Sequence, residues 1–192
     1  MRGDQRLLFG HLIGVLTLFG AIAIENVTLF FMLRARTVED LRGATTFAPL
    51  LARLFPAGVV LILAFGIGLV AHSDEFKFGQ AWIDLSFGLL IVLAILGPLV
   101  QGRRMDATAH AARTAQGGPL PADLAAMATD PIMRTAAVTS SWLAIGIVFL
   151  MTRQPGWGGS WLTILVFGLV GLGMSMVLSQ ARPVEHEGPA RQ

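Results

Sequence analysis

The sequence predicts an all-α protein that forms a polytopic transmembrane helical bundle of about five spanning helices. Its 192 residues are 54% hydrophobic and only 14% charged, whereas soluble domains carry roughly a quarter charged residues. The mean hydropathy is +0.68. Five apolar segments reach or approach the ~20 residues that a helix needs to cross a bilayer. The lipid bilayer is therefore the first partner that the sequence indicates.

The five segments are expected to form one transmembrane domain over residues 1–181. The first is long enough to tilt or to project beyond the bilayer, and the second and fourth lie near the lower limit of ~17 residues. An odd number of spans places the two termini on opposite sides of the membrane. In chain order the spans are 7–33, 56–71, 82–100, 136–152 and 161–178, followed by a polar tail over 182–192.

Two connections between the spans carry helical signals of their own. Residues 47–54 are expected to form an interfacial lead-in to the second span. After span three, residues 103–115 are alanine-rich and are expected to extend that helix beyond the membrane, until the Gly-Gly-Pro sequence at 117–119 breaks it. A short helix is then predicted to start near Pro121 and to end near Asp130.

Basic residues set the predicted orientation. Ten of the fourteen Lys and Arg residues follow spans one, three and five, and the other four lie on the opposite side. Because basic loops stay in the cytoplasm, the long connections and the C-terminus are predicted to be cytoplasmic and the N-terminus outside. Trp82, Trp157 and Trp161 then fall at the outer surface, where indole rings prefer to lie. A cleaved signal peptide ending at 21–23 is the alternative, but the apolar run continues for ten more residues.

Several functional classes are excluded or disfavoured by what the sequence lacks. It contains no cysteine, which excludes disulfides, thiolate metal sites, iron–sulfur clusters and cysteine nucleophiles. It also has no phosphate-binding glycine-rich loop with its lysine and no H-E-x-x-H zinc motif. The net charge of +2 gives no indication of nucleic-acid binding. These observations favour a protein without catalytic residues and leave the question of enzymatic activity open.

Three polar residues of the first span are candidate functional residues, because an ionisable side chain in a spanning helix is costly. His11 lies about one turn inside the helix, and Glu25 and Asn26 lie deeper, toward its cytoplasmic half. Fourteen residues, nearly four turns, separate His11 from Glu25, so both lie on one helical face that we expect to point into the bundle. The structural alternative is that Glu25 is protonated, or hydrogen-bonded to Asn26, Thr28 or a serine of another helix.

Two further residues fall near the outer surface together with His11. They are His72, at the end of the second span, and Asp84, at the start of the third. Histidine is a common metal and haem ligand, and a carboxylate can complete a metal shell. The sequence therefore predicts His11, His72 and Asp84 as candidate metal ligands, and His11 with His72 as candidate haem ligands. The alternative is that His72 belongs to a solvated loop and that Asp84 caps a helix.

Small residues predict where helices approach each other closely. Gly10 and Gly14 are four residues apart on the first span, and Gly171, Ser175 and Ser179 follow the same spacing on the fifth. Small residues at this spacing let two membrane helices come into backbone contact. The pattern is common in membrane proteins and indicates close contact rather than a particular function.

Three short stretches carry a resemblance to a known group of proteins. The chain resembles an uncharacterised bacterial integral-membrane family that is grouped with CopD-like copper-resistance membrane domains and HemJ-type protoporphyrinogen oxidases. The resemblance implies a bacterial inner-membrane location. The stretches are Gly10-His11-Leu12-Ile13-Gly14 with Phe19-Gly20, Arg53-Leu54-Phe55-Pro56, and residues 144–151.

The resemblance also implies a small bundle whose first-helix histidine, here His11, faces the interior. In the HemJ-type enzymes this histidine is a haem ligand, and the second ligand is a lysine shortly after a tryptophan. The matching stretch here, from Trp82 to Ser86, has no lysine, which counts against HemJ-type catalysis.

Three functional hypotheses follow. The leading one is a non-enzymatic accessory or structural subunit of a membrane complex, with other membrane subunits as partners. The alternatives are CopD-like handling of copper or another metal at the outer face, and a haem-b-binding redox protein. Neither haem b nor copper is demanded by the residues alone.

Overall fold

The computed structural model of the protein describes residues 2–180, so the polar tail predicted over 182–192 lies outside the described residues. Within this range the chain is all-α and contains no β-strand, which confirms the predicted fold class. A 3₁₀ turn, Thr45–Phe47, joins α2 to α3, and a π-helical segment, Gly97–Gly102, joins α4 to α5. The helices are α1 (Arg2–Met32), α2 (Val38–Ala44), α3 (Ala48–His72), α4 (Ala81–Leu96), α5 (Arg103–Thr114), α6 (Ala122–Ala128), α7 (Pro131–Arg153) and α8 (Trp157–Gln180).

Five helical stretches of the described chain are long and apolar enough to cross a membrane, as the sequence predicts. They include α1, α3, α4, α7 and α8. The second begins earlier than the predicted span, because α3 starts at Ala48 and residues 48–54 form its first turns. Pro49 lies in the first turn of α3, where its missing N–H would be unpaired anyway. Pro56 lies inside α3, where only one backbone hydrogen bond is lost.

Helices α1 and α3 form a close pair through glycines on both partners. A Cβ atom on Gly14 would lie 2.8 Å from the backbone nitrogen of Ile62, and one on Gly58 would lie 2.9 Å from that of Leu18. A Cβ atom on Gly10 would lie 2.6 Å from the ring of Phe65. No side chain larger than hydrogen fits at these distances, so the close approach predicted from Gly10 and Gly14 is confirmed.

Helices α7 and α8 form the second close pair, again at small residues. A Cβ atom on Gly171 would lie 2.7 Å from the Cα atom of Thr139. One turn further along α8, the hydroxyls of Ser175 and Thr135 are hydrogen-bonded at 2.8 Å. Ser179 instead donates to the Met176 carbonyl of its own helix. The predicted close approach is thus present at Gly171 and Ser175.

The short helices α2, α5 and α6 pack on the ends of α1 and α7 and form a compact unit, here called the cap. Its side of the bundle is called the cap side. The cap has its own apolar core, in which Val38, Leu41 and Ala109 have no exposed surface. The predicted extension of helix three, the break at 117–119 and the short helix after it are confirmed by α5 and α6.

Helix α2 was not predicted, although its sequence carries a signal for a helix start. Thr37 is the N-cap residue, and its hydroxyl accepts a hydrogen bond from the Asp40 N–H at 3.1 Å. The Asp40 carboxylate accepts from the Thr37 N–H at 3.0 Å, which completes a capping box. This reciprocal pair of hydrogen bonds satisfies the N–H groups of Thr37 and Asp40, which would otherwise have no partner at the start of a short helix.

Polar bonds tie the pieces of the cap together. The Arg42 guanidinium donates to the carbonyls of Ala112 and Ala115, which closes the C-terminal end of α5. Asp130, the N-cap of α7, accepts from the Ile132 N–H at 2.8 Å and pairs with Arg104 of α5. The cap therefore fixes the relative positions of α1, α5 and α7 at one end of the bundle.

Candidate functional site

The main cavity of the described structure is a partly open space between the α1–α3 pair and helices α4 and α7, with exposed side chains such as Leu12 and Val60 at its edges. Its volume is about 820 Å³, which is within the range of ~300–1,000 Å³ typical of ligand pockets. Its middle is apolar and is lined by Val15, Leu18, Phe55, Val59, Leu90 and Ile147.

The cavity exists because the helices associate mainly in pairs. α1 packs chiefly against α3, and α7 chiefly against α8, so the closest contacts lie within the pairs. Between α4 and α5 the π-helical segment contains Pro98, which cannot donate a backbone hydrogen bond. Such π-helical insertions in α-helices are frequent at functional sites. Gly97, Pro98 and Gln101 of this segment line the cavity near its cap-side end.

His11 lines the end of the cavity that lies opposite the cap. Its side chain is only 9% exposed, and its Nδ1 atom lies 3.2 Å from the Ile62 carbonyl oxygen. Because a carbonyl oxygen can only accept, Nδ1 carries the proton and Nε2 the lone pair. Gly66 makes room for the ring, since a Cβ atom there would lie 3.3 Å from His11 Nδ1. The imidazole therefore has one nitrogen held by α3 and one left for another group.

Ser86 is a second polar residue of the cavity wall, and sequence reasoning missed it. It is 1% exposed, and its hydroxyl has no hydrogen-bond partner among the described residues. Its neighbour Phe87 lies close to His11 around Gly66. A lone serine in an apolar span gives no signal in the sequence, because serine often bonds its own helix instead.

Glu25 lines the cap-side part of the cavity. It is 6% exposed, and its carboxyl group forms no hydrogen bond with the side chains or backbone of residues 5–179. Asn26 points elsewhere, because its amide donates to the Ile22 carbonyl at 2.8 Å and to the Ser141 hydroxyl of α7 at 3.0 Å. The two neighbours therefore differ in role: Asn26 joins two helices, and Glu25 faces the cavity.

Gln101 is another polar wall residue that sequence reasoning missed. It is 8% exposed, and its amide donates to the Ser140 hydroxyl at 3.1 Å. Ser140 in turn donates to the Ala137 carbonyl at 3.0 Å. A signal was present, since Gln101 follows the Gly-Pro pair at 97–98 and is the first polar residue after the predicted span 82–100.

His72 and Asp84 do not line the cavity. His72 ends α3 and is exposed, with Nδ1 at 2.9 Å from the Gly68 carbonyl oxygen. The Asp84 carboxylate accepts a hydrogen bond from the Gly79 N–H at 3.1 Å. Within residues 2–180, no three His, Asp or Glu side chains form a group that could hold a metal ion. The structure thus does not bring His11, His72 and Asp84 together, and their role as ligands stays a prediction.

A comparison with known protein families gives a match over the helices that form the cavity. A family model described as "Predicted integral membrane protein (DUF2269)" matches residues 5–155. The protein belongs to the DUF2269 family. It is accordingly an integral membrane protein. The DUF2269 match includes every residue that lines the cavity, from Leu8 to Gln154, and ends before α8.

No curated protein and no solved structure matches the chain.

Proposed function

We propose that this DUF2269 protein is a non-enzymatic membrane component that holds an apolar or amphipathic ligand in its intramembrane cavity. The cavity of about 820 Å³ carries the proposal. This volume lies within the range of ~300–1,000 Å³ that is typical of ligand pockets, and most of the lining is apolar. A cleft of this size between well-packed helix pairs has room for a bound molecule. Service as an accessory subunit of a larger membrane complex is compatible with this role.

The spacing of the polar groups supports a binding role rather than catalysis. His11 and Glu25 are fourteen residues apart on α1, which is about 21 Å along a helix at ~1.5 Å per residue. A general acid or base must come within hydrogen-bond reach of the group that it serves. His11 and Glu25 therefore cannot act as a pair on one reacting atom, whereas each can hold one end of a long ligand.

Haem b is the second candidate, and the hydrogen bond of His11 to Ile62 favours it. Metal-ligating histidines usually donate their other ring N–H to a carbonyl or carboxylate, which fixes the ring. His11 would hold the iron, and its ring packs against Gly66 of α3. When bound, haem would supply one-electron redox chemistry. His11 would be the one iron ligand that the cavity wall supplies, because His72 does not line the cavity and no lysine is among its lining residues.

Copper is less well supported, because a copper site needs several protein ligands close together. No such group of three forms among the described residues. Copper handling like that of CopD-like domains is thus a hypothesis, and metal analysis of the purified protein would test it.

The ligand proposal is tested by what copurifies with the protein. We would compare the wild type with Ala94→Trp, which places an indole in the cavity, and with Ala64→Trp on the exposed face of α3. Mass spectrometry, an absorption spectrum and metal analysis would identify the bound species. We expect an apolar ligand in the wild type and Ala64→Trp and at least a tenfold loss in Ala94→Trp. Equal ligand content in all three proteins would refute the proposal.

We also propose that the cap side faces the cytoplasm of a bacterial cell and that the N-terminus lies outside. The arginine-rich connections support this orientation, since Arg34, Arg36, Arg42 and Arg53 follow α1 on that side. Single cysteines can be introduced into this cysteine-free chain and labelled with an impermeant reagent in intact cells. We expect labelling at position 76 and none at position 113, and the reverse pattern would overturn the orientation.

A further inference from the structure

The cap-side half of the cavity contains a buried carboxyl group that forms no ion pair with the described residues. Glu25 is 6% exposed and makes no ion pair within residues 5–179. The ion pair of the described structure joins Arg104 to Asp130, and neither residue lines the cavity. Arg103 and Asp106 are exposed residues at the cap-side mouth of the cavity. Arg103 is thus the one Lys or Arg of the cavity wall, and it forms no ion pair with Glu25.

The surroundings of Glu25 are apolar and aromatic. The register of α1 against α3, with Gly14 opposite Ile62 and Leu18 opposite Gly58, places Glu25 near the level of Leu51 and Phe55. Phe19, Phe55 and Leu51 all line the cavity. The Gln101 amide nearby is already bonded to Ser140. The buried wall around Glu25 therefore offers one free carboxyl group and apolar or aromatic side chains, while Arg103 and Asp106 lie at the exposed mouth.

This combination selects for one class of ligand. A carboxylate removed from water attracts a positive charge strongly, because the low dielectric of the interior does not screen it. Aromatic rings add attraction for a cation through their negative faces. A small hydrated ion would lose its water shell and find a single carboxylate in return. A bulky cation with apolar substituents loses little hydration and fills the apolar volume.

We propose that Glu25 makes this cavity a binding site for lipophilic organic cations, such as amines or quaternary ions with large apolar substituents. The inference rests on the proposed function, since it assigns a charge and a chemical class to the ligand of the same cavity. His11 and Ser86 line the opposite half, about 21 Å along α1 at ~1.5 Å per residue. They would contact the far end of a long ligand and are not needed for charge recognition.

Two probes of nearly equal size and opposite charge test the proposal directly. Tetraphenylphosphonium and tetraphenylborate would be titrated into the purified full-length protein in detergent, with Ala94→Trp as the blank for micelle binding. For the wild type we expect a Kd for the cation at least tenfold lower than for the anion. Equal affinity for the two ions, or tighter binding of the anion, would overturn the proposal without any variant at Glu25.

The variant Glu25→Gln keeps the shape of the side chain and removes its charge. We expect it to lose at least tenfold in affinity for the cation, while Asp123→Asn, on an exposed site of α6 that does not line the cavity, stays like the wild type. Unchanged cation binding by Glu25→Gln would also overturn the proposal. A neutral apolar probe distinguishes failure of this inference from failure of the proposed function. If the neutral probe binds and the cation binds no more tightly than the neutral probe, only this inference fails. If no probe binds, the proposed function fails as well.

Discussion

The cap and the cavity are parts of one bundle, but they differ in how closely their side chains pack and in how their polar groups are paired. In the cap, Leu41 and Ala109 have no exposed surface, and polar groups are paired at the Thr37 capping box. In the cavity wall, Ser86 is 1% and Glu25 is 6% exposed, and neither side chain forms a hydrogen bond with the described residues. Three other buried polar atoms without a partner in the described part of the chain, on Thr28, Arg134 and Thr139, lie outside the cavity wall.

The difference indicates which region determines the shape of the protein and which region binds. Buried polar groups without partners cost free energy, so a fold retains them where a ligand or another role compensates. The cap gains its stability from its own contacts. The main difference between the two regions is therefore the unfilled space of the cavity, and substitutions in the two regions should have different consequences.

The largest effect is expected from a core substitution in the cap. Leu41→Ala removes a side chain with no exposed surface, and such changes cost ~2–5 kcal/mol in soluble cores. Leu93→Ala, on the cavity wall, should cost less than about 1 kcal/mol, because it enlarges an existing space. Thermal unfolding of both variants in detergent measures the contrast. Equal destabilisation would show that the cavity wall is packed like the cap.

An intermediate effect is expected at the junction of the cap with α7. Asp130→Ala removes the N-cap of α7 and the partner of Arg104, and loss of an N-cap alone costs ~0.5–2 kcal/mol. Asp130→Asn keeps a capping side chain and loses the ion pair, which for a partly exposed pair is worth ~0–1 kcal/mol. We expect Asn to restore most of the stability lost with Ala. Equal losses of stability in the two variants would show that the ion pair, rather than the N-cap, provides the stabilisation.

Much of this arrangement follows from the sequence. The apolar segments predict the five long helices, and the spacing of Gly10 and Gly14 predicts close contact of the first helix. The helical period places His11 and Glu25 on one face. Each of these inferences uses local spacing, which a helix converts directly into geometry.

The cavity could not be predicted, because it depends on how the helix pairs are spaced relative to each other. No residue pattern within one segment records the distance between α3 and α4. Gln101 and Ser86 become recognisable as wall residues only when that space is known. Helix α2 could have been found from Thr37 and Asp40, whose capping pattern is local.

The smallest effect is expected from Ser86→Ala, and Ser140→Ala provides its comparison. Ser140→Ala leaves the Gln101 amide without its partner, which costs ~1–3 kcal/mol for a buried group. Ser86→Ala removes a hydroxyl that has no partner among the described residues and should change stability by less than about 0.5 kcal/mol. Unfolding midpoints of the two variants give the comparison. A large loss with Ser86→Ala would show that its hydroxyl is already satisfied.

The stoichiometry of a neutral apolar probe at saturation tests the central claim most directly. The claim is that the space between the α1–α3 pair and helices α4 and α7 is a ligand site. We expect one probe molecule per protein for the wild type and for Ala64→Trp, and none for Ala94→Trp, whose indole occupies the cavity. Saturable binding that is identical in all three proteins, or absent from the wild type, would contradict it.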